Sequence, residues 1–256
     1  MRKYAVIEDE SGVCIGYCAD LIGLAGEQPV EVDGEMINRI VMFGFERNSR
    51  IDEGYSVSSS WGSLQLAILD TSERIIGSYH FVLSHPSRFD KVFGREQSRL
   101  ELLGTLLAPA SAEALAVWEG WRESPPVEPG EWIKLSGRER SGWLEVVRLY
   151  DGQLMRTRQL QGDQRHQTYE MDASPITDAL SFYCALGEAV HGPGGYYGTE
   201  PMSLYDCICG GFGVSPPFRI IIRNIREELK REPFFAAAVD RLTSSDVIVV
   251  MVPKGG

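Results

Sequence analysis

Apolar and polar positions follow different rhythms in the two parts of the chain. At the start, KYAVIED and GVCIGYC read as two strands joined by a turn at Glu10–Gly12, and INRIVMFGF reads as a third. LQLAILD and RIIGSYHFVLS are two more, with Thr71-Ser72-Glu73 as a hairpin-like connection. A helix is predicted over ASAEALAVWEGWRE, where Leu115, Trp118 and Trp121 recur at helical spacing. The proline-rich loop SPPVEPGE follows. EWIKL, WLEVVRLYD and LMRTRQL then read as further strands. The polar segment QGDQRHQ, residues 161–167, lacks periodicity and marks the expected domain boundary.

Beyond that boundary the pattern changes. TYEMD reads as a short strand, and Ser174-Pro175 as the cap and first turn of a helix over ITDALSFYCALGEAV. Ile176, Ala179, Leu180, Tyr183, Gly187 and Val190 share one face of that helix, and GPGG ends it. PMSLYDCIC begins a second helix with Pro201 in its first turn. FRIIIRN is an apolar strand of the kind buried on both faces. IREELKR and PFFAAAVDRL are two more helices, and DVIVVMV is a closing strand. This order predicts a small α/β domain with a three-stranded parallel sheet and four helices over residues 165–256. A mainly β (α+β) domain over residues 1–160 precedes it.

Composition narrows the function. The chain has 256 residues and a net charge of −11, with 43% hydrophobic and 24% charged residues, as in a globular protein. Residues 165–256 carry eight Lys+Arg and eleven Asp+Glu, a net of −3, which leaves −8 for residues 1–164. Nucleic-acid binding calls for a basic patch, so this balance points instead to basic partners, or to solubility alone. No apolar run approaches the roughly 20 residues of a membrane span. The opening MRKYAVIEDESG lacks the core of a signal peptide. Five cysteines (Cys14, Cys18, Cys184, Cys207, Cys209) form no disulfide framework. These features together predict a cytoplasmic protein.

The stretch GPGGYYGTEPMSLYDCICGG, residues 192–211, concentrates the candidate chemistry. It is no phosphate loop, because its glycines follow a helix and no G-K-[ST] appears. It is a poor metal site, because C-I-C offers two ligands and His191 is the only nearby imidazole. Cys14, Cys18, Cys184 and Cys207 read as small packing residues. No cofactor is implied. At about 100° per residue, Leu204 and Ile208 form a core stripe flanked by Cys207 and Pro201. Asp206 lies on the opposite face with Met202 and Cys209 one turn away on either side, and Tyr205 lies at the border. The plain reading of this face is a solvated surface with one ordinary aspartate.

Gly-Tyr-Tyr-Gly followed by Leu-x-Asp-Cys-Ile-x-Gly-Gly resembles the signature of the barstar family, the intracellular inhibitors of barnase-type ribonucleases. The likeness covers roughly residues 167–252, including the order of strands and helices. It says nothing of residues 1–160. It implies a non-enzymatic protein whose second helix and preceding loop plug the active site of a basic ribonuclease or toxin nuclease. By motif position, Asp206 matches the acid that stands in for substrate phosphate. Tyr196 and Gly198 match loop contacts, Tyr205 an aromatic beside the acid, Gly210 the helix end, and Phe212 a following aromatic. Met202 stands where the family has a second acid. A further family acid on the last helix falls near Val239, with Asp240 beside it.

Three functions follow as expectations. The first is a nuclease inhibitor or immunity protein (an antitoxin). The second is a non-inhibitory interaction module whose N-terminal domain selects the partner. The third is an enzyme using His80, His85 or Cys14, although the five-residue spacing of the histidines suits ordinary packing residues better.

Overall fold

The computed structural model describes residues 1–49, 51, 60–88, 96–158 and 162–253. The chain forms two compact units, Met1–Glu123 and Ser124–Gly256.

The first unit contains eight described strands: β1 (Tyr4–Glu8), β2 (Cys14–Cys18), β3 (Asp20–Ile22), β4 (Pro29–Val32), β5 (Glu35–Arg47), β6 (Ser60–Leu69), β7 (Ile75–Arg88) and β8 (Glu96–Leu106). All their pairings are antiparallel. Six strands follow one another as β1-β2-β5-β8-β7-β6. The ring closes because β2 also pairs with the end of β5, with Gly16 opposite Arg47 and Tyr17 opposite Glu46. Closure leaves no free edge within the ring. One set of alternate residues is buried along the ring, Ile40 and Met42 on β5, Leu64, Leu66 and Ile68 on β6, Tyr79 and Phe81 on β7, Leu100 and Leu102 on β8, and β6 is buried at its intervening positions too, where Ala67 and Leu69 cluster with Ala5 and Ile7 of β1.

Helix α1 (Ala112–Glu123) buries Trp118 and Trp121 as its spacing predicts. The Trp118 indole N–H donates to the Tyr79 hydroxyl at 3.0 Å. Its ring lies so close to Gly77 that a Cβ there would meet it at 2.5 Å. The buried Arg122 guanidinium donates to the carbonyls of Lys3 and Leu69 and stacks 4.5 Å over the Tyr4 ring. These contacts tie α1 to the start of β1 and the end of β6.

The second unit opens with a 3-10 turn (Glu131–Lys134) and helix α2 (Gly137–Arg158). Here the structure corrects the expectation of strands at EWIKL, WLEVVRLYD and LMRTRQL; residues 159 and 160 of the last lie outside the described residues. Apolar runs of that length suit either element until a tertiary neighbour decides. The neighbour is α3 (Ala179–His191), against which α2 packs. The Glu188 carboxylate on α3 accepts from Gly130 N–H at 2.9 Å and from the Trp132 indole at 3.1 Å. Arg140 on α2 donates to Asp178 at 2.8 Å. Residues 124–158 fall within the second compact unit.

The remaining elements are β9 (Thr168–Asp172), α4 (Pro201–Cys209), β10 (Phe218–Ile225), α5 (Glu227–Arg231), α6 (Pro233–Thr243) and β11 (Val247–Pro253). The three strands form a parallel sheet in the order β11-β10-β9, with four helices after β9. The mixed α/β class is as expected, and its finer description gains the closed barrel.

Two local expectations change. The cap of α3 is Asp178, not Ser174. Its side chain accepts from Ser181 N–H, and the Ser181 hydroxyl accepts from Asp178 N–H. Strand β10 is buried on one face only: Phe218, Ile220, Ile222 and Ile225 are inside, while Arg219 and Arg223 are exposed. On the exposed side Arg223 pairs with Glu170 across the strands at 2.8 and 2.7 Å. α3 itself is buried almost all round, from Ser181 to Gly187, because α2 covers the side that the sheet does not.

Burial opposes ionisation of Asp178, but its bonds with Ser181 and Arg140 outweigh burial and hold its carboxyl below the ordinary value. Replacing it, Asp178→Ala, should cost about 1 kcal/mol in urea unfolding near neutral pH. A depressed native pKa contributes stability above the unfolded value, about 3.9, and loses it as pH falls through the lower native value. The deficit of the variant should therefore shrink below about pH 4.

Candidate functional site

The site is built on the loop and helix between α3 and β10. α3 ends at Gly192, whose φ of 81° favours glycine. The chain then turns back onto the helix. A Cβ at Gly187 would come within 2.3 Å of the Gly195 carbonyl oxygen, so backbone packs on backbone here. His191 Nδ1 lies 2.7 Å from the Tyr196 carbonyl oxygen, and the Tyr197 hydroxyl donates to Val214 O at 3.2 Å. Gly198 adopts φ 90°, and a Cβ on it would sit 2.8 Å from the backbone of Leu204. The loop is thereby pressed against the first turn of α4.

α4 buries Leu204, Cys207 and Ile208, the predicted core stripe. Pro201, expected at the edge of that stripe, is exposed in the first turn. The Ser203 hydroxyl accepts from the Thr199 and Glu200 N–H groups at 2.8 and 3.1 Å. The helix ends at Gly210, with φ 110°. The Asp163 carboxylate then accepts from Gly211 N–H at 2.8 Å and from Gly213 N–H at 2.9 Å. Sequence reasoning assigned Asp163 to a linker. Its signal, an acid among polar residues, becomes meaningful only when Gln164 pairs with Val214 and brings the two segments together.

The predicted site residues separate into two groups. Met202 (62% exposed), Tyr205 (42%) and Asp206 share the open face of α4, and Cys209 is exposed one turn after Tyr205. Tyr196 is buried at 4%, and Gly198 is buried beneath α4. Phe212 is half-buried with its ring 6.0 Å from that of Tyr196, and Gly210 is half-buried at the helix end. Tyr196 is thus a packing residue of the loop rather than part of the open face. Burial, and the Cys207 side chain beside it, push its hydroxyl pKa up. Arg148, on α2, lies within electrostatic reach of the same hydroxyl.

One neighbour was not foreseen. The Arg241 guanidinium, from α6, lies 5.1 Å over the Tyr205 ring. The Cys209 side chain beside it raises the pKa of the Tyr205 hydroxyl, which sits within electrostatic reach of both Arg241 and Asp206. Asp240, next to Arg241, is exposed.

Three of the cysteines, Cys18, Cys184 and Cys207, are buried, and Cys14 is half-buried. Cys18 and Cys207 are buried, and desolvation pushes each thiol up to about 12. Cys207 is buried and Cys209 exposed, so the C-I-C pair does not converge on one point. In the barrel, Asp9 accepts from Ser63 and Gln65 and lies 3.6 Å from His80 Nδ1. His85 is on β7, with its side chain outside the described residues. Among the described residues, no helix is long and apolar enough to cross a membrane.

Comparison of the chain with protein-family models, curated proteins and solved structures returns no match.

Removing the acid that clamps the Gly210–Gly213 turn, Asp163→Ala, leaves two backbone donors to water. It should cost about 1–3 kcal/mol and accelerate amide exchange at Gly211 and Gly213, read residue by residue by NMR.

Proposed function

We propose that the second unit acts as a barstar-like inhibitor or immunity protein, which blocks a basic nuclease with the face of α4 that carries Asp206. The observation that carries this reading is an exposed Asp206, flanked by Tyr205 and Met202, on a short helix held by glycine turns at both ends. The parallel three-stranded sheet and the order of its helices support it, as does the likeness in residues 195–211.

The physics is electrostatic substitution. A nuclease site is positive because it binds phosphodiesters. A carboxylate on a rigid helix can occupy the phosphate position without being cleaved. Opposite charges speed encounter and make it salt-sensitive. Rigidity matters because a pre-formed helix loses little conformational entropy on docking. The protein does no chemistry in this role, and it needs neither a cofactor nor contact with nucleic acid.

A second reading keeps the fold and the face but drops inhibition, leaving an interaction module whose partner the N-terminal barrel helps select. Burial of Tyr196 and the thioether at Met202 favour it, since both reduce the likeness of the open face to a nuclease plug.

The test is inhibition of RNA cleavage by a panel of small basic ribonucleases. For any enzyme inhibited, Asp206→Ala should weaken inhibition at least tenfold, about 1.4 kcal/mol, and should flatten its dependence on salt. An inhibition left unchanged by Asp206→Ala rules out the proposed mechanism.

A further inference from the structure

The open face of α4 is bipolar. α4 itself, Pro201–Cys209, contains a single charged residue, Asp206; its other exposed side chains near the acid, Met202, Tyr205 and Cys209, are uncharged. The second charge comes from another element. α6 packs against α4 and lays the Arg241 guanidinium on the Tyr205 ring at 5.1 Å. Tyr205 is thus bracketed by a carboxylate on its own helix and a guanidinium on α6.

This geometry conflicts with a purely electropositive target. A pocket that holds only cations attracts Asp206 and repels Arg241, and the two contributions oppose each other over short distances where screening is weak. A target that presents a carboxylate beside its cations removes the conflict. Catalytic sites that cleave phosphodiesters by general acid–base chemistry combine these groups: cations for the phosphate and a carboxylate or imidazole for the proton. A guanidinium stacked on an aromatic ring keeps N–H donors around its edge, and such donors suit a carboxylate.

We propose that Arg241 is a specificity residue of the docking face and pairs with an acidic side chain of the partner, while Asp206 meets an adjacent basic one. The partner is a protein whose binding surface sets a carboxylate next to a cation, with an apolar wall against Met202. This rests on the reading of the second unit as a nuclease inhibitor and specifies the kind of active site it covers. Like-charged groups facing each other in the wrong partner would provide discrimination.

The experiment measures inhibition constants against each small basic ribonuclease that the wild-type protein inhibits, at two salt concentrations. The variants are Arg241→Ala, Arg241→Glu and Asp206→Ala, each checked for its native circular dichroism spectrum. The expected result is a loss of about tenfold for Arg241→Ala and a larger loss for Arg241→Glu. A uniformly basic target instead gives unchanged or tighter inhibition for Arg241→Ala, which overturns the inference and leaves the inhibitor reading standing. Equal losses for the Ala and Glu variants also overturn it, because Arg241 would then only support the Tyr205 ring. If the wild-type protein inhibits none of the enzymes, the inhibitor reading itself falls, and the pairing of Arg241 with a nuclease carboxylate falls with it.

Discussion

Backbone lies on backbone where the loop before α4 meets α3, and the placement of the candidate site depends on that contact. Gly187 and Gly195 leave no room for a Cβ between the two segments. With the loop pressed flat, Tyr196 and Tyr197 turn inward, and Gly198 can sit beneath the first turn of α4. The helix then has one orientation. Leu204, Cys207 and Ile208 fill the interior, and Met202, Tyr205 and Asp206 are left outside. A side chain at either of the first two glycines would lift the loop and rotate that face. The exposure of Asp206 is thus a consequence of tight packing several residues away.

The same economy of space explains α2. α3 is too apolar to stand with one side in water, and the sheet covers only part of it. α2 supplies the rest, held by the Glu188 contacts with Gly130 and Trp132 and by Arg140 on Asp178. These polar contacts set where α2 lies, while burial of α3 supplies the driving force. An arginine of α2 reaches the electrostatic neighbourhood of Tyr196, so this helix also bears on the loop that positions the site. The barrel solves its own version of the problem by closing on itself and tying α1 to its strands through Trp118 and Arg122.

Legibility in the sequence followed the range of the determining interaction. Strands β1, β2, β6 and β7 were readable because their apolar positions repeat locally. So were α4 and α6, which start at prolines and carry clear apolar stripes. The exposed face of α4 followed from helical periodicity alone. Tyr196 did not, because its burial depends on α4 folding back over the loop and on an apolar shell drawn from several elements. Arg241 was equally hidden, since nothing in local spacing says which helix will stand beside Tyr205.

By itself the sequence determined the alternation of elements after residue 165, the parallel sheet, the inward Cys207 and the outward Asp206. The order of elements and the two side-chain directions depend on periodicity and turn chemistry acting over a few residues, and the parallel sheet follows from strands alternating with helices. Tertiary structure alone decided that residues 137–158 are helical, that Asp163 clamps a turn some fifty residues away, that the first unit closes into a barrel, and that a guanidinium stands over Tyr205. The reason is common to all four. An apolar run is stable as either helix or strand until a partner surface selects one, and a charge acquires a role only when folding brings its counterpart within a few ångströms.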